Sequence, residues 1–137
     1  MSAVYVPMGI SLPELPRTKR TREANITPKV LEYFRENYPY PCAIEIKVSP
    51  RKYISENALL PHQKLALLAA SSPQGLVHKL SDEAMRRQPF DAFLLKNTHA
   101  YVVAVFLHKD VRLALAIKVE DWQGATPDSP CDFNFMI

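Results

Sequence analysis

The chain has 137 residues, of which 47% are hydrophobic and 23% charged, a balance typical of one globular domain and too small for two independent cores. No apolar run approaches the roughly 20 residues that span a bilayer, and the N-terminus lacks the features of a secretory signal, so we expect no membrane insertion and an intracellular location. The net charge is only +3, and the two cysteines, Cys42 and Cys131, lack metal-clip spacing, which argues against a zinc finger or a disulfide scaffold.

The N-terminal segment, residues 1–20, is basic, rich in proline and without sustained periodicity. This pattern predicts an extended arm that precedes a single domain, residues 21–137. Basic residues also cluster further along the chain, and such clusters suit phosphate backbones, although short basic runs are commonly just solvated surface. The candidate DNA-binding residues are Arg17, Lys19, Arg20, Arg22, Arg51, Lys52, Arg86 and Arg87.

The first predicted helix begins at Thr27 and Pro28, because a threonine hydroxyl can cap a helix and proline is tolerated in the first turn. The helix is expected to run to about Asn37, before a proline-rich stretch that ends it. Its apolar stripe consists of Val30, Leu31 and Phe34.

A short strand is predicted next, over residues 42–48. Side chains alternate between the two faces of a strand, so Glu45 and Lys47 share one face. The opposite face carries Ile44, Ile46 and Val48. The strand therefore places an acid and an amine side by side.

The remaining elements complete an α/β fold, in which a mixed central sheet is flanked by helices. Strand 100–107 is apolar on both faces, which is typical of a central strand. The predicted elements are a loop at 49–57, a largely buried helix at 59–70 opened by Pro61, a strand at 76–80, a hairpin of strands 89–95 and 100–107, a strand at 112–119, and an acidic tail of weak structural signal from Glu120.

The acid and lysine of the first strand match the needs of metal-dependent phosphodiester cleavage. In that chemistry carboxylates hold Mg²⁺, which activates a water, and a lysine often stabilises the charge on the phosphate. The tripeptide Glu45-Ile46-Lys47 alone is weak support, because exposed strand faces often alternate acids and bases. Its context, a basic loop followed by a helix that opens with Leu59-Leu60-Pro61-His62-Gln63, strengthens it.

This E-x-K strand, loop and His-Gln helix start resemble the RecU-type and archaeal-type Holliday-junction resolvases of the PD-(D/E)XK nuclease superfamily, over roughly Glu23 to Val119. The resemblance implies a restriction-endonuclease-like fold and Mg²⁺ as cofactor, which Mn²⁺ can replace. It also implies that Glu45 is a metal ligand, that Lys47 stabilises the attacked phosphate or positions the water, and that Gln63 supports the site.

The resembled families also have a glutamate in the first helix that reaches the metal through water. The resemblance implies this role for Glu23, with Glu32 as the alternative and an ordinary solvated charge as the alternative reading of Glu23. His62 is a candidate general base, although a histidine at a helix start more often hydrogen-bonds locally.

The chain departs from the family pattern at the aspartate that normally precedes the E-x-K strand. No acid lies between Asn37 and Glu45, so either the site is incomplete or the aspartate has moved. Asp91 is our candidate, because an unpaired carboxylate among the apolar residues of its strand would be costly. The alternatives are that Asp91 only caps the turn after Pro89, or that Asp82 takes the role.

The sequence therefore predicts a metal-dependent endonuclease, and the resemblance implies four-way or other branched DNA as its substrate and a homodimer. A protein of the same fold that binds DNA without cutting it is one alternative, and a nuclease for flap or linear DNA is another. A short chain without an accessory domain would suit a virus or mobile element.

Overall fold

The computed structural model describes residues 19–80, 89–109 and 111–137, with side chains described from Ala24 onward. Among these residues no helix is both long and apolar enough to cross a membrane. The helices are α1 (Lys19–Asn37) and α2 (Pro61–Ser71), with 3₁₀ turns at Glu56–Ala58 and Val119–Asp121. The strands are β1 (Cys42–Ser49), β2 (Leu76–Lys79), β3 (Ala92–Leu95), β4 (His99–His108), β5 (Val111–Lys118) and β6 (Phe133–Met136).

The main sheet has four strands in the order β1-β4-β5-β6. Strand β1 runs parallel to β4, whereas the β4–β5 and β5–β6 pairs are antiparallel. Residues 100–106 of β4 are all buried, since both faces of that strand are covered. The prediction of a mixed sheet with a central apolar strand is confirmed.

The two helices cover opposite faces of the sheet. Val30 and Phe34 of α1 pack in one apolar cluster with Val48, Val103 and their neighbours. A second cluster, which contains Leu67 and Ala70 of α2, lies on the other face with Val102 and Ala104. The alternation of β1 directs its isoleucines to α1 and Glu45 to the α2 side, so the predicted separation of these residues onto two faces is confirmed.

The predicted hairpin of strands 89–95 and 100–107 is wrong. Strand β3 pairs with β2 in a separate antiparallel ribbon, in which His78 lies opposite Phe93. The linking residues bind the end of α2 instead of turning β3 onto β4. The Asn97 amide donates to the Ser72 carbonyl at 2.9 Å, and the Thr98 hydroxyl donates to the Ala70 carbonyl at 2.8 Å. These bonds satisfy carbonyl groups at the end of α2, and they hold the segment between β3 and β4 against the helix.

Both helices differ in part from their predictions. Helix α1 ends at Asn37 as expected but begins at Lys19, so Pro28 lies inside it and Thr27 is not its cap. Proline removes one backbone donor there, and the exposure of Ala24, whose carbonyl loses that partner, lets water replace it. Helix α2 begins at Pro61 as predicted, but it is less buried than expected because Leu65 is 68% exposed. Residues 1–18 of the predicted arm lie outside the described residues.

The C-terminal segment is structured, contrary to the prediction of an acidic tail of weak structural signal. Strand β6 pairs with β5, and its Phe135 stacks on Tyr33 of α1 with ring centroids 3.8 Å apart. Trp122 is buried, and its indole N–H donates to the Glu56 carbonyl at 3.0 Å. These contacts fasten residues 122–137 to both faces of the sheet.

A chain of hydrogen bonds, here called the tyrosine network, joins Tyr38, His99, Tyr101 and Asp132. The Tyr101 hydroxyl donates to Asp132 Oδ2 at 3.0 Å and contacts the Tyr38 hydroxyl at 3.1 Å, and the Tyr38 hydroxyl also contacts His99 Nδ1. Each hydroxyl has one hydrogen, so Tyr38 must donate to Tyr101, and His99 Nδ1–H must donate to Tyr38. The network ties the end of α1 to β4 and to the segment before β6.

Candidate active site

Glu45, Lys47 and Gln63, here called the charged network, form a hydrogen-bonded group between β1 and α2. Lys47 Nζ donates to Gln63 Oε1 at 3.0 Å and lies 3.6 Å from Glu45 Oε1. Gln63 Nε2 donates to the same Glu45 oxygen at 3.1 Å. The three residues that the sequence singled out are thus brought together.

The orientation of Gln63 follows from its partners. Its Oε1 accepts both from Lys47 and from the backbone N–H of Leu60 at 3.0 Å, and neither of these groups can accept a hydrogen bond. The amide nitrogen is therefore left to donate to Glu45. Because Leu60 is the N-cap of α2, the bond from its backbone N–H fixes the Gln63 side chain, which holds Glu45, to the start of the helix.

The charged network is partly open to solvent. The side chains of Lys47 and Glu45 are 16% and 29% exposed, and β1 lies at the edge of the four-stranded sheet. Among the described residues, Glu45 Oε2 makes no hydrogen bond, while Oε1 is held by Gln63. A fixed carboxylate with one oxygen accessible is a suitable ligand for a divalent cation such as Mg²⁺, which takes one or two carboxylates plus water and substrate phosphates.

An apolar cavity of about 330 Å³ lies on the Glu45 side of the network, between β1, α2 and the β2–β3 ribbon. Glu45, Gln63, His62 and His78 are its polar members. The side chains of His78 and Phe93 stack with ring centroids 5.0 Å apart. The other lining residues are Ala43, Ile44, Ala66, Leu67, Leu76, Phe93 and Leu95.

A second cavity of about 330 Å³, the basic cavity, lies on the Lys47 side and is lined by Lys47, Arg51 and the loop after β1. Ser49 shapes this loop. Its hydroxyl is buried, donates to the Tyr53 carbonyl at 3.0 Å and accepts from the Arg51 amide at 3.0 Å. The loop therefore holds Arg51 beside the same cavity as Lys47, and the neighbouring Lys52 is exposed.

Asp91 is exposed and directly precedes β3. Its carbonyl accepts from the Leu80 amide at 2.8 Å, so it belongs to the ribbon that walls the apolar cavity. The alternation of β3 puts Asp91 in phase with Phe93 and Leu95, which line that cavity. In the described part of the chain, however, no group of three or more His, Cys, Asp or Glu side chains is close enough to hold a metal ion.

The structure does not bring the other candidate residues, so far as it describes them, next to the charged network. Glu23 lies in α1, which packs on the sheet face opposite Glu45, and its side chain is outside the description, as are those of Lys19, Arg20 and Arg22. Glu32 is exposed on the same helix. Arg17, Asp82, Arg86 and Arg87 lie outside the described residues. The roles assigned to these residues remain predictions.

The sequence analysis missed the cavity wall formed by His78 and Phe93. No sequence motif singles out His78, and the predicted hairpin pairs β3 with the wrong strand. The signal was present in the alternation of β2 and β3, because every second residue of each strand lines the cavity. It becomes informative only when these two strands are paired with each other.

No family model, curated protein or solved structure matches this chain in the three comparisons with known proteins. The resemblance to junction resolvases is therefore a prediction based on the motif residues and their order.

Proposed function

We propose that this chain is a metal-dependent endonuclease of restriction-endonuclease-like fold, which hydrolyses phosphodiester bonds in branched DNA. The observation that carries the proposal is the charged network. Glu45 and Lys47 lie 3.6 Å apart on one strand, and both are held by Gln63 from the neighbouring helix. An acid and a lysine fixed together beside open cavities match the requirements of phosphodiester hydrolysis.

Glu45 would hold the Mg²⁺, or the Mn²⁺ that replaces it, with Asp91 as a second oxygen ligand from the ribbon. The bound ion would supply an activated water and offset the charge on the phosphate. Lys47 adds a fixed positive charge next to the same phosphate, and Gln63 keeps Glu45 in position. Arg51 and Lys52 would bind a neighbouring phosphate on the DNA backbone.

The direct experiment is cleavage of labelled four-way junction, flap and linear duplex DNA of equal length, each with Mg²⁺, Mn²⁺ or chelator. We expect metal-dependent paired cuts across the junction, and weaker cutting of linear duplex. Preferential cutting of flap or linear DNA would keep the nuclease and change its substrate. A homodimer would place two active sites on opposed strands of the junction. Sedimentation velocity of the protein, with and without junction DNA, tests whether the protein is a dimer.

A DNA-binding protein that has lost cleavage is the second candidate. The exposure of Asp91 and the absence of a three-residue metal group in the described part of the chain favour it. Binding of junction DNA without any cut in either metal would establish this alternative.

A further inference from the structure

The two cavities beside the charged network differ in chemistry. The basic cavity contains Lys47 and Arg51, whereas the described residues that line the apolar cavity include no lysine or arginine. A phosphate suits the first and not the second. The apolar cavity therefore requires a different part of the substrate.

The wall of the apolar cavity has the features of a site for a planar ring. The His78 and Phe93 rings stack on each other at an interplanar angle of 28°, so a base would stack on the outer face of one of them, across from the small and aliphatic side chains of β1 and α2. Aromatic side chains are the surfaces on which proteins stack nucleobases, and every base has a face that such a ring can accept. The His62 ring and the second N–H of Gln63 Nε2 lie at the same cavity and can bind the polar edge of a base.

The apolar cavity also lies about one nucleotide's length from the basic cavity. Glu45 lines the apolar cavity and Lys47 lines the basic cavity, and residues two apart on a strand are separated by about 7 Å. A nucleotide whose phosphate lies at Lys47 would thus have its base beside Glu45, at the apolar cavity. A base that is paired and stacked in a duplex cannot enter a cavity between a helix and a ribbon unless it leaves the stack.

We infer that the apolar cavity binds the base of an unpaired nucleotide adjacent to the bond that is cut, so that the protein selects DNA with an unpaired nucleotide at the branch. This inference rests on the proposed nuclease function for the position of the cut. The base contact itself does not depend on cleavage.

The test is binding by the full chain in chelator, so that no DNA is cut. The probes are two branched duplexes that differ only at one unpaired nucleotide, which carries either 2-aminopurine or an abasic sugar. We expect the 2-aminopurine fluorescence to fall on binding, and the abasic duplex to bind roughly five- to 150-fold more weakly, the range measured for single base-stacking contacts. Equal affinity for the two duplexes would overturn the inference.

Two variants locate the contact. Phe93→Leu removes the ring, and Ala66→Leu fills the cavity from α2 without altering the ribbon. Both should lose most of the preference for the base over the abasic sugar. Leu94→Ala is the matched control, because Leu94 lies on the opposite face of β3 and is 52% exposed. If Phe93→Leu unfolds, as judged by circular dichroism, Ala66→Leu decides alone, and unchanged discrimination in it would contradict the inference.

The outcomes separate this inference from the nuclease proposal. Base-dependent binding that Ala66→Leu removes, without cleavage in any metal, would leave the base site and reject the nuclease. Metal-dependent cleavage, together with equal binding of the duplex that carries the abasic sugar, would support the nuclease and reject the base site. No binding of branched DNA at all would reject the base site.

Discussion

The charged network and the tyrosine network are both built on β1 or β4, yet they are organised for different purposes. In the charged network the groups are ionic, partly exposed and flanked by two cavities. In the tyrosine network the central hydroxyl belongs to Tyr101, which is 2% exposed, and each bond connects a different segment of the fold. Both networks reach solvent, since the side chains of Asp132 and Glu45 are 33% and 29% exposed, but only the charged network borders the two cavities described above. The charged network is therefore placed to act on a ligand, whereas the tyrosine network, which joins three segments of the fold, stabilises it.

Burial favours the neutral form of three groups in and near the tyrosine network. Burial, reinforced by its bonds to Tyr38 and Asp132, raises the pKa of Tyr101 well above its usual value. Burial likewise raises the pKa of Tyr38, and it raises the pKa of Cys42, at the start of β1, to about 11. The neutral forms of these groups are therefore the ones that the native structure favours.

Replacing Lys47 in the charged network should have the largest effect on the rate of cleavage. Lys47→Met should lower the rate of junction cleavage by about 10²- to 10³-fold, because it removes a fixed charge beside the developing phosphate charge. Lys29→Met, on the exposed side of α1, is the control and should cleave normally. Single-turnover rates measure both, and a rate for Lys47→Met within about threefold of wild type would break the comparison.

Gln63→Ala should reduce cleavage about 10- to 100-fold, as is typical when a residue that orients a metal ligand is removed. The loss arises because Glu45 and Lys47 no longer share a fixed partner. Gln74→Ala, at an exposed position after α2, should have no effect. Titrating Mg²⁺ in the cleavage assay should show a higher half-saturating concentration for Gln63→Ala, and an unchanged value would argue against the positioning role.

Tyr101→Phe should show the opposite behaviour. It removes the donor to Asp132 Oδ2, which still has Lys118 Nζ 3.8 Å away, and it removes the acceptor for Tyr38. The loss of these hydrogen bonds should lower the free energy of unfolding by about 0.5–1.5 kcal/mol. Cleavage below the unfolding transition should stay close to wild type. Tyr40→Phe is the control, since Tyr40 is 62% exposed. Urea unfolding measures the difference, and unchanged stability of Tyr101→Phe would refute a structural role.

The smallest effect is the dependence of stability on alkaline pH. The Cys42 thiol has its pKa raised from 9.0 to about 11 on folding, so its stabilising contribution is complete below pH 9 and is lost as the pH rises through 11. The melting temperature should therefore fall over this range. Cys42→Ala should show a shallower fall between pH 9 and 11. Identical slopes for the two proteins would mean that burial of this thiol does not contribute.

The local parts of the site were predictable from the sequence. Alternation in residues 42–48 was enough to put Glu45 and Lys47 on one face, and Pro61 was enough to start α2 with Gln63 in its first turn. These features depend on neighbouring residues, so a sequence pattern contains the information.

The non-local parts were not predictable in the same way. Residues 89–95 and 100–107 are adjacent in sequence, which favours a hairpin, but Asn97 and Thr98 bind the end of α2 and separate the two strands. The short strand β6 depends on stacking of Phe135 against Tyr33, about a hundred residues earlier, and no local pattern reveals that contact. Because β3 was predicted to pair with β4 and not with β2, the cavity wall formed by His78 and Phe93 was not predicted.

If Glu45 belongs to a nuclease centre, as proposed, the rate of junction cleavage must depend on its carboxylate. Wild type, Glu45→Gln and Glu120→Gln are purified identically, and each is assayed for single-turnover cleavage of four-way junction DNA in Mg²⁺. Glu120 is an exposed carboxylate away from the charged network and serves as the control. We expect Glu45→Gln to lose at least about 100-fold in rate, since replacing a metal ligand removes several kcal/mol of transition-state stabilisation, with Glu120→Gln unchanged. Equal cleavage by all three proteins would contradict the account.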